Sequence, residues 1–188
     1  MNIRIVAGAV ALALSIAAPA FAQSAMSSSA MKDPMVGGAP MYASKTIVAN
    51  AVNSKDHTTL VSLVKKADLV DTLSGPGPFT VFAPTNEAFA KIPTATLTAV
   101  GNDKATLTKV LTYHVVAGKM DSAAIAAKIK AGGGKATLKT VQGEDLTAMM
   151  DGDKLVLTDA HGGKSTVTIA DVYQSNGVIH VVDTVLMP

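Results

Sequence analysis

The chain has 188 residues, 16 Lys plus Arg against 14 Asp plus Glu, 48% hydrophobic residues and no cysteine. That length accommodates one sizeable core, and the missing thiols exclude disulfides, thiol nucleophiles, thiolate metal sites and lipidation through an N-terminal cysteine. Arg4 is the only arginine and the lysines are scattered, so no bidentate fork exists for phosphate or guanine and no nucleic-acid partner is expected.

The N-terminus reads as an export signal. Arg4 supplies a positive start, residues 5–16 are an apolar run, and Ala20-Phe21-Ala22 forms an A-x-A cleavage site, so residues 1–22 are expected to be removed. No later run reaches the ~18 apolar residues of a membrane span. The mature protein is therefore expected to begin at Gln23 and to reside in the periplasm or outside the cell. Residues 23–42, rich in Ser, Met, Gly and Pro and without periodicity, read as a flexible linker before a domain at 43–188. Met26, Met31, Met35 and Met41 are irregularly spaced and have no His or Cys beside them. They read as chance in a biased tail, not as a soft-metal site.

Within the domain, Ser44 is expected to cap a helix carrying Ile47, Val48, Ala51 and Val52. A second helix from Asp56 places Leu60, Leu63, Val64 and Ala67 on one face. Residues 69–73 add a helical turn before Gly75-Pro76-Gly77-Pro78 breaks the chain. Phe79, Val81 and Ala83 alternate with Thr80 and Phe82 as in a strand, Pro84 ends the ladder, and Thr85 caps the next helix. Further helices are expected over 94–100, from Asn102 or Asp103 to about Thr112, and over 123–130, where Asp121 is the cap and Gly132-Gly133-Gly134 the stop. Tyr113-His114-Val115-Val116 reads as a short strand. Strands joined by Gly- and Asp-containing turns follow at 136–141, 146–150, 155–158, 167–172 and 178–187. The last is apolar on both faces and is expected to be central. Helices first and strands later indicate an α+β domain with a largely antiparallel sheet.

Three segments carry a resemblance: Phe79-Thr-Val-Phe-Ala-Pro-Thr-Asn-Glu-Ala-Phe89, Tyr113-His114, and Asn176-Gly-Val-Ile-His-Val-Val-Asp-Thr-Val-Leu-Met-Pro188. In this order and spacing they resemble the two sequence blocks and the Tyr-His motif of a fasciclin domain, from about Met41 to Pro188. The resemblance implies a β-wedge of two packed sheets flanked by helices, serving adhesion and matrix or partner binding. It also implies candidate partner-binding residues at Tyr113 and His114 and at Asp171, Val172 and Tyr173. Here Val172 stands where the family has isoleucine, and Tyr173 where an aliphatic residue is usual. The chain has room for one copy, which offers little multivalent avidity, and a monomer is expected.

Other motifs fail on context. Gly163-Lys164-Ser165 lacks the earlier glycine of a phosphate-binding loop, since residue 158 is Thr158, and it precedes a strand. Ser62-Leu63-Val64-Lys65 matches S-x-x-K, but both polar residues fall on the solvated helix face and the companion motifs are missing. His114 and His180 lie in apolar stretches and are either hydrogen-bonded interior groups or ligand contacts. Asp183 points away from His180, so the two form no catalytic pair. The sequence therefore suggests an exported, non-enzymatic binding or adhesion module without cofactor or metal. Its partner is an extracellular or envelope protein or polysaccharide. The alternative is a carrier of an apolar small molecule such as a carotenoid.

Overall fold

The computed structural model describes residues 33–188. The export signal and the first part of the linker lie outside the described residues. The remainder of the linker is a correction, because it is folded. Met35–Val36 (β1) and Ala39–Pro40 (β2) form a hairpin, with Val36 opposite Ala39. Gly37 and Gly38 both have positive φ, as a two-residue turn that follows the strand twist demands. Val36 and Met41 are buried in the core.

Among the described residues seven α-helices follow the expected order: α1 (Ile47–Ala51), α2 (Thr58–Lys66), α3 (Val70–Ser74), α4 (Asn86–Ala90), α5 (Thr94–Asn102), α6 (Lys104–Tyr113) and α7 (Ser122–Ala131). Four are capped by a side chain accepting from the first turn: Thr46 from Ala49 N–H, Thr85 from Ala88, Asp103 from Ala105 and Asp121 from Ala124. Thr46, not Ser44, therefore caps α1. Tyr113 closes α6 instead of opening a strand. Leu107, Val110 and Leu111 continue to His114 at helical spacing, all buried.

The strands are β3 (Phe79–Pro84), β4 (Val115–Ala117), β5 (Lys135–Lys139), β6 (Asp145–Asp151), β7 (Lys154–Thr158), β8 (Lys164–Gln174) and β9 (Gly177–Val182). They form one sheet in the order β4-β3-β9-β8-β7-β6-β5. Every pair is antiparallel except β3 with β9. β8 joins two halves: Ser165 pairs with Leu157 of β7, and Tyr173 with Val178 of β9. The halves close on each other, since Val116 bridges Thr140 and Val141 N–H donates to Val115 C=O at 2.7 Å. The fold is thus α+β as expected, and the two packed sheets that the resemblance implies are the two halves of one seven-stranded mixed sheet.

The sheet carries an apolar filling on each side. Phe82, Tyr113, Ile125, Leu138, Leu146 and Leu157 fill the wedge, while Ile47, Leu60, Val64, Leu107 and Phe89 pack helices on the other face against Val81, Ile179 and Val181. β9 is therefore covered on both faces, as its sequence indicates.

The hairpin yields a direct check. A Cβ at Gly37 would lie 2.3 Å from Ser54 Oγ, whereas one at Gly38 meets nothing within 4 Å, and both glycines have positive φ. Gly38→Ala should cost about 1 kcal/mol from backbone conformation alone. Gly37→Ala should cost more and melt several degrees lower than Gly38→Ala. Equal melting temperatures would mean that the hairpin is not seated on the domain.

Candidate functional site

The Tyr-His pair lies inside the protein. Tyr113 is 0% exposed and its hydroxyl donates to Asp145 C=O at 3.2 Å; burial pushes its phenol pKa up. His114 is 3% exposed. Its Nδ1 lies 2.8 Å from Val110 C=O, and its Nε2 accepts Leu186 N–H at 3.0 Å. Those partners fix a neutral ring with the proton on Nδ1. Burial lowers its pKa from 6.5 to about 4. As candidate partner contacts Tyr113 and His114 are thus corrected: both are buried, Tyr113 fixing the end of α6 to β6 and His114 fixing it to the C-terminal segment.

His180 has the opposite tautomer. Its Nε2 lies 2.9 Å from Met120 C=O and its Nδ1 accepts Asp171 N–H at 3.3 Å. The ring stacks on Phe82 with centroids 5.5 Å apart, and burial lowers its pKa. Phe82 also donates its N–H to His114 C=O at 2.8 Å. The two histidines therefore hold Phe82 between them, one through the backbone and one through the ring.

The second candidate group sits on β8, where the register with β9 shifts twice, between Val167 and Ile169 and between Ile169 and Val172. These irregularities interrupt the strand's regular alternation of faces. Val167 packs into the wedge, whereas Ile169 and Val172 pack on the helical side. Val172 is 0% exposed and so joins the core. Asp171 is mid-strand with φ +60°, and its carboxylate accepts from Ser122 N–H at 2.6 Å and from Ser122 Oγ–H. A carboxylate at the start of α7 complements the free N–H groups and positive end of that helix.

Tyr173 is the member of the group that reaches the surface without a structural bond to the main chain. Its hydroxyl donates to Asp121 Oδ2 at 3.4 Å, and Lys119 Nζ lies 4.9 Å from its ring centroid. Burial and the charges of Asp171 and Asp121 push its pKa up. Lys119 also borders an open depression of about 360 Å3, lined by Pro76, Pro78 and the turn from Gln174 to Gly177. Sequence reasoning missed Lys119, since a lone exposed lysine carries no pattern. Among the described residues no group of three His, Cys, Asp or Glu is arranged to hold a metal.

An α+β wedge of this topology defines a domain class, and the comparisons identify it. The fasciclin-domain family model matches residues 55–188. Protein sll1483 of Synechocystis sp. is 43% identical over 159 residues, 84% of this chain and 81% of that protein. Cell surface glycolipoprotein MPB83 of Mycobacterium bovis is 35% identical over 157 residues, 81% of this chain and 64% of that protein. The FAS1 domain pair of the insect cell adhesion molecule fasciclin I shares the fold with a TM-score of 0.55 at 24% identity, over 68% of this chain and 44% of that one. The chain belongs to the fasciclin-domain family.

The buried histidines make stability depend on pH. The unfolded chain takes up protons near pH 6.5 whereas folded His114 resists until about pH 4, so its contribution is whole above pH 6.5 and is lost as pH falls to about 4. The difference corresponds to roughly 3 kcal/mol. His57 and His180, also lowered by burial, add in the same direction. Denaturant unfolding at pH 7 and pH 4.5 should show this loss, and His114→Gln should reduce the slope by about one proton. An unchanged slope would mean that His114 is not held neutral.

Proposed function

We propose that this is an exported, non-enzymatic binding module attaching to a protein or polysaccharide of the cell envelope or matrix. It acts through Tyr173 and Lys119, with the Pro76–Pro78 depression beside them. The observation that carries the surface is the contrast within the candidate group. Tyr113, His114 and Val172 are buried and Asp171 is spent on Ser122, whereas Tyr173 is half-buried and bonds no main-chain group, its ring lying against an exposed cation and its hydroxyl on Asp121. An aromatic ring with a polar end contributes large contact area at small entropic cost, as interface anchors do. The surface glycolipoprotein among the relatives supports a role outside the cytoplasm. So do the signal-like residues 1–22. No helix among the described residues is long and apolar enough to cross a membrane.

The carotenoid-carrier reading is less well supported. The apolar cavity under the helices is about 50 Å3, whereas sites for molecules of that size run to roughly 300–1,000 Å3.

Attachment of labelled protein to envelopes of its own source tests the proposal. The double variant Tyr173→Ser, Lys119→Ala should weaken attachment at least about tenfold, the loss of one good anchor, with melting within about 2 °C of wild type. Unchanged attachment, no wild-type attachment, or a parallel loss of stability would each overturn it.

A further inference from the structure

Strand β8 changes partners part-way along its length. Its ladder with β7 runs from Lys164 to Thr166 and stops there, while its ladder with β9 runs on from Val167 to Gln174. A strand carries hydrogen-bonding groups along both sides, so beyond Thr166 the side turned away from β9 has no strand beside it. Outside the β9 ladder, the backbone groups of Thr168, Ile169 and Ala170 have no hydrogen-bond partner among the described residues. Thr168 and Ala170 are exposed. Both of them, with Thr166 and Val167, line an open depression of about 710 Å3. Helix α7 forms its other wall through Ala123 and Ala126, and the β6–β7 hairpin closes one end with Met150, Asp153 and Leu155. That volume falls within the roughly 300–1,000 Å3 of ligand sites.

The chemistry of the edge limits what can cover it. Alternating N–H and C=O groups in a row are matched by another extended backbone, whose donors and acceptors repeat at the same spacing. A sugar or a lipid headgroup has no such repeat. The stretch from Val167 to Ala170 offers about 13 Å of edge at ~3.3 Å per residue. It ends at the irregularity before Val172, where regular pairing breaks. The alanines of α7 leave room for incoming side chains, and buried Leu155 with half-buried Val167 offers them an apolar surface. One end is acidic. Asp151 and Asp153 stand at the β6–β7 turn against Lys154, all three are exposed, and none joins an ion pair among the described residues. Asp183, also on the rim, is already paired with Lys91 at 3.9 Å. A basic side chain therefore complements the turn.

We propose that this open edge binds an extended peptide, which adds to β8 as a strand along Val167–Ala170, lays apolar side chains against Leu155 and Val167, and places a basic residue beside Asp153. The site is separate from the Tyr173 and Lys119 surface and stands or falls independently of it.

The test titrates the acetylated, amidated hexapeptide Val-Thr-Val-Thr-Val-Lys into 15N-labelled protein and follows the backbone amides by NMR. Saturable shifts are expected at Leu155, from Val167 to Ala170 and in the first turn of α7. Alternate N–H groups of a strand point to opposite sides. Methylating the nitrogens of one alternate set of peptide residues should therefore weaken binding at least about tenfold more than methylating the other, the loss of one or two hydrogen bonds. Ala123 is exposed on α7 and arginine is a good helix former, so Ala123→Arg should keep the fold, fill the groove and abolish the shifts. Asp153→Lys should reverse the preference for this peptide over the same peptide ending in glutamate. No saturable shift, equal effects of the two methylated sets, shifts that survive Ala123→Arg, or an unreversed preference would overturn the proposal. So would a dimer that Ala123→Arg dissociates, because a second copy of the chain would then cover the edge.

Discussion

The parallel pairing of β3 with β9 is the constraint on which the rest of this structure depends. It joins Phe79 to Gly177 and Pro84 to Val182 across nearly the whole domain, and strands so paired need a long crossover between them. Two glycines make the approach possible. A Cβ on Gly177 would lie 2.0 Å from Phe79 C=O, and one on Gly77 would lie 2.0 Å from Asn176 C=O. Asn176 then fixes the helices to the same point. Its side-chain carbonyl accepts Ile47 N–H at 3.0 Å, while its amide donates to Leu73 C=O at 2.8 Å and to Gly75 C=O at 3.1 Å. α1, α3 and the central strands are thereby referred to one buried amide. A half-satisfied group there would be far worse than an apolar one, which is why every polar atom of that side chain is used.

From that pair the two histidines extend the order outward. His180 fixes the bulge at Asp171 and the loop before α7, and the carboxylate of the bulged residue receives the first turn of α7. His114 fixes α6 to the C-terminal segment. Function is left to what these bonds do not consume. The Tyr-His segment and the Asp171 region are thus linked through the interior, around Phe82, and not as one continuous surface. A substitution at either histidine acts on the scaffold that presents Tyr173 and Lys119, so loss of binding in such a variant says nothing by itself about contact.

Local chemistry was legible in the sequence; long-range geometry was legible only in part. Thr85, Asp103 and Asp121 are caps because a side chain that accepts from the first turn needs nothing beyond its own neighbourhood. The central position of β9 followed from apolar residues on both faces. The parallel partner of β9 did not, since about a hundred residues separate the strands and the alternation of β3 suits either direction. Tyr113-His114 is a helix end and not the start of a strand, in keeping with Leu107, Val110, Leu111 and His114 at helical spacing. Gly37-Gly38 between two short apolar pairs was likewise a hairpin signal, hidden by the Ser- and Met-rich residues before it. The irregularities in β8 left no such trace. An extra residue in a strand reverses every later side chain, and nothing local at Asp171 announces it, because Asp in a left-handed conformation is uncommon but permitted. Of the candidate residues Tyr113, His114 and Val172 are buried, and that burial depends on packing between distant segments that no local pattern announces.

The most direct test of this account is the tautomeric state of the two histidines in solution, read from ring 15N shifts and couplings between pH 7.5 and 5.5. Across that range the account predicts two neutral, non-averaging rings, His114 carrying its proton on Nδ1 and His180 on Nε2. A ring that averages between tautomers, or that titrates near 6.5 as an accessible histidine does, would contradict it and return the Tyr-His segment to the surface.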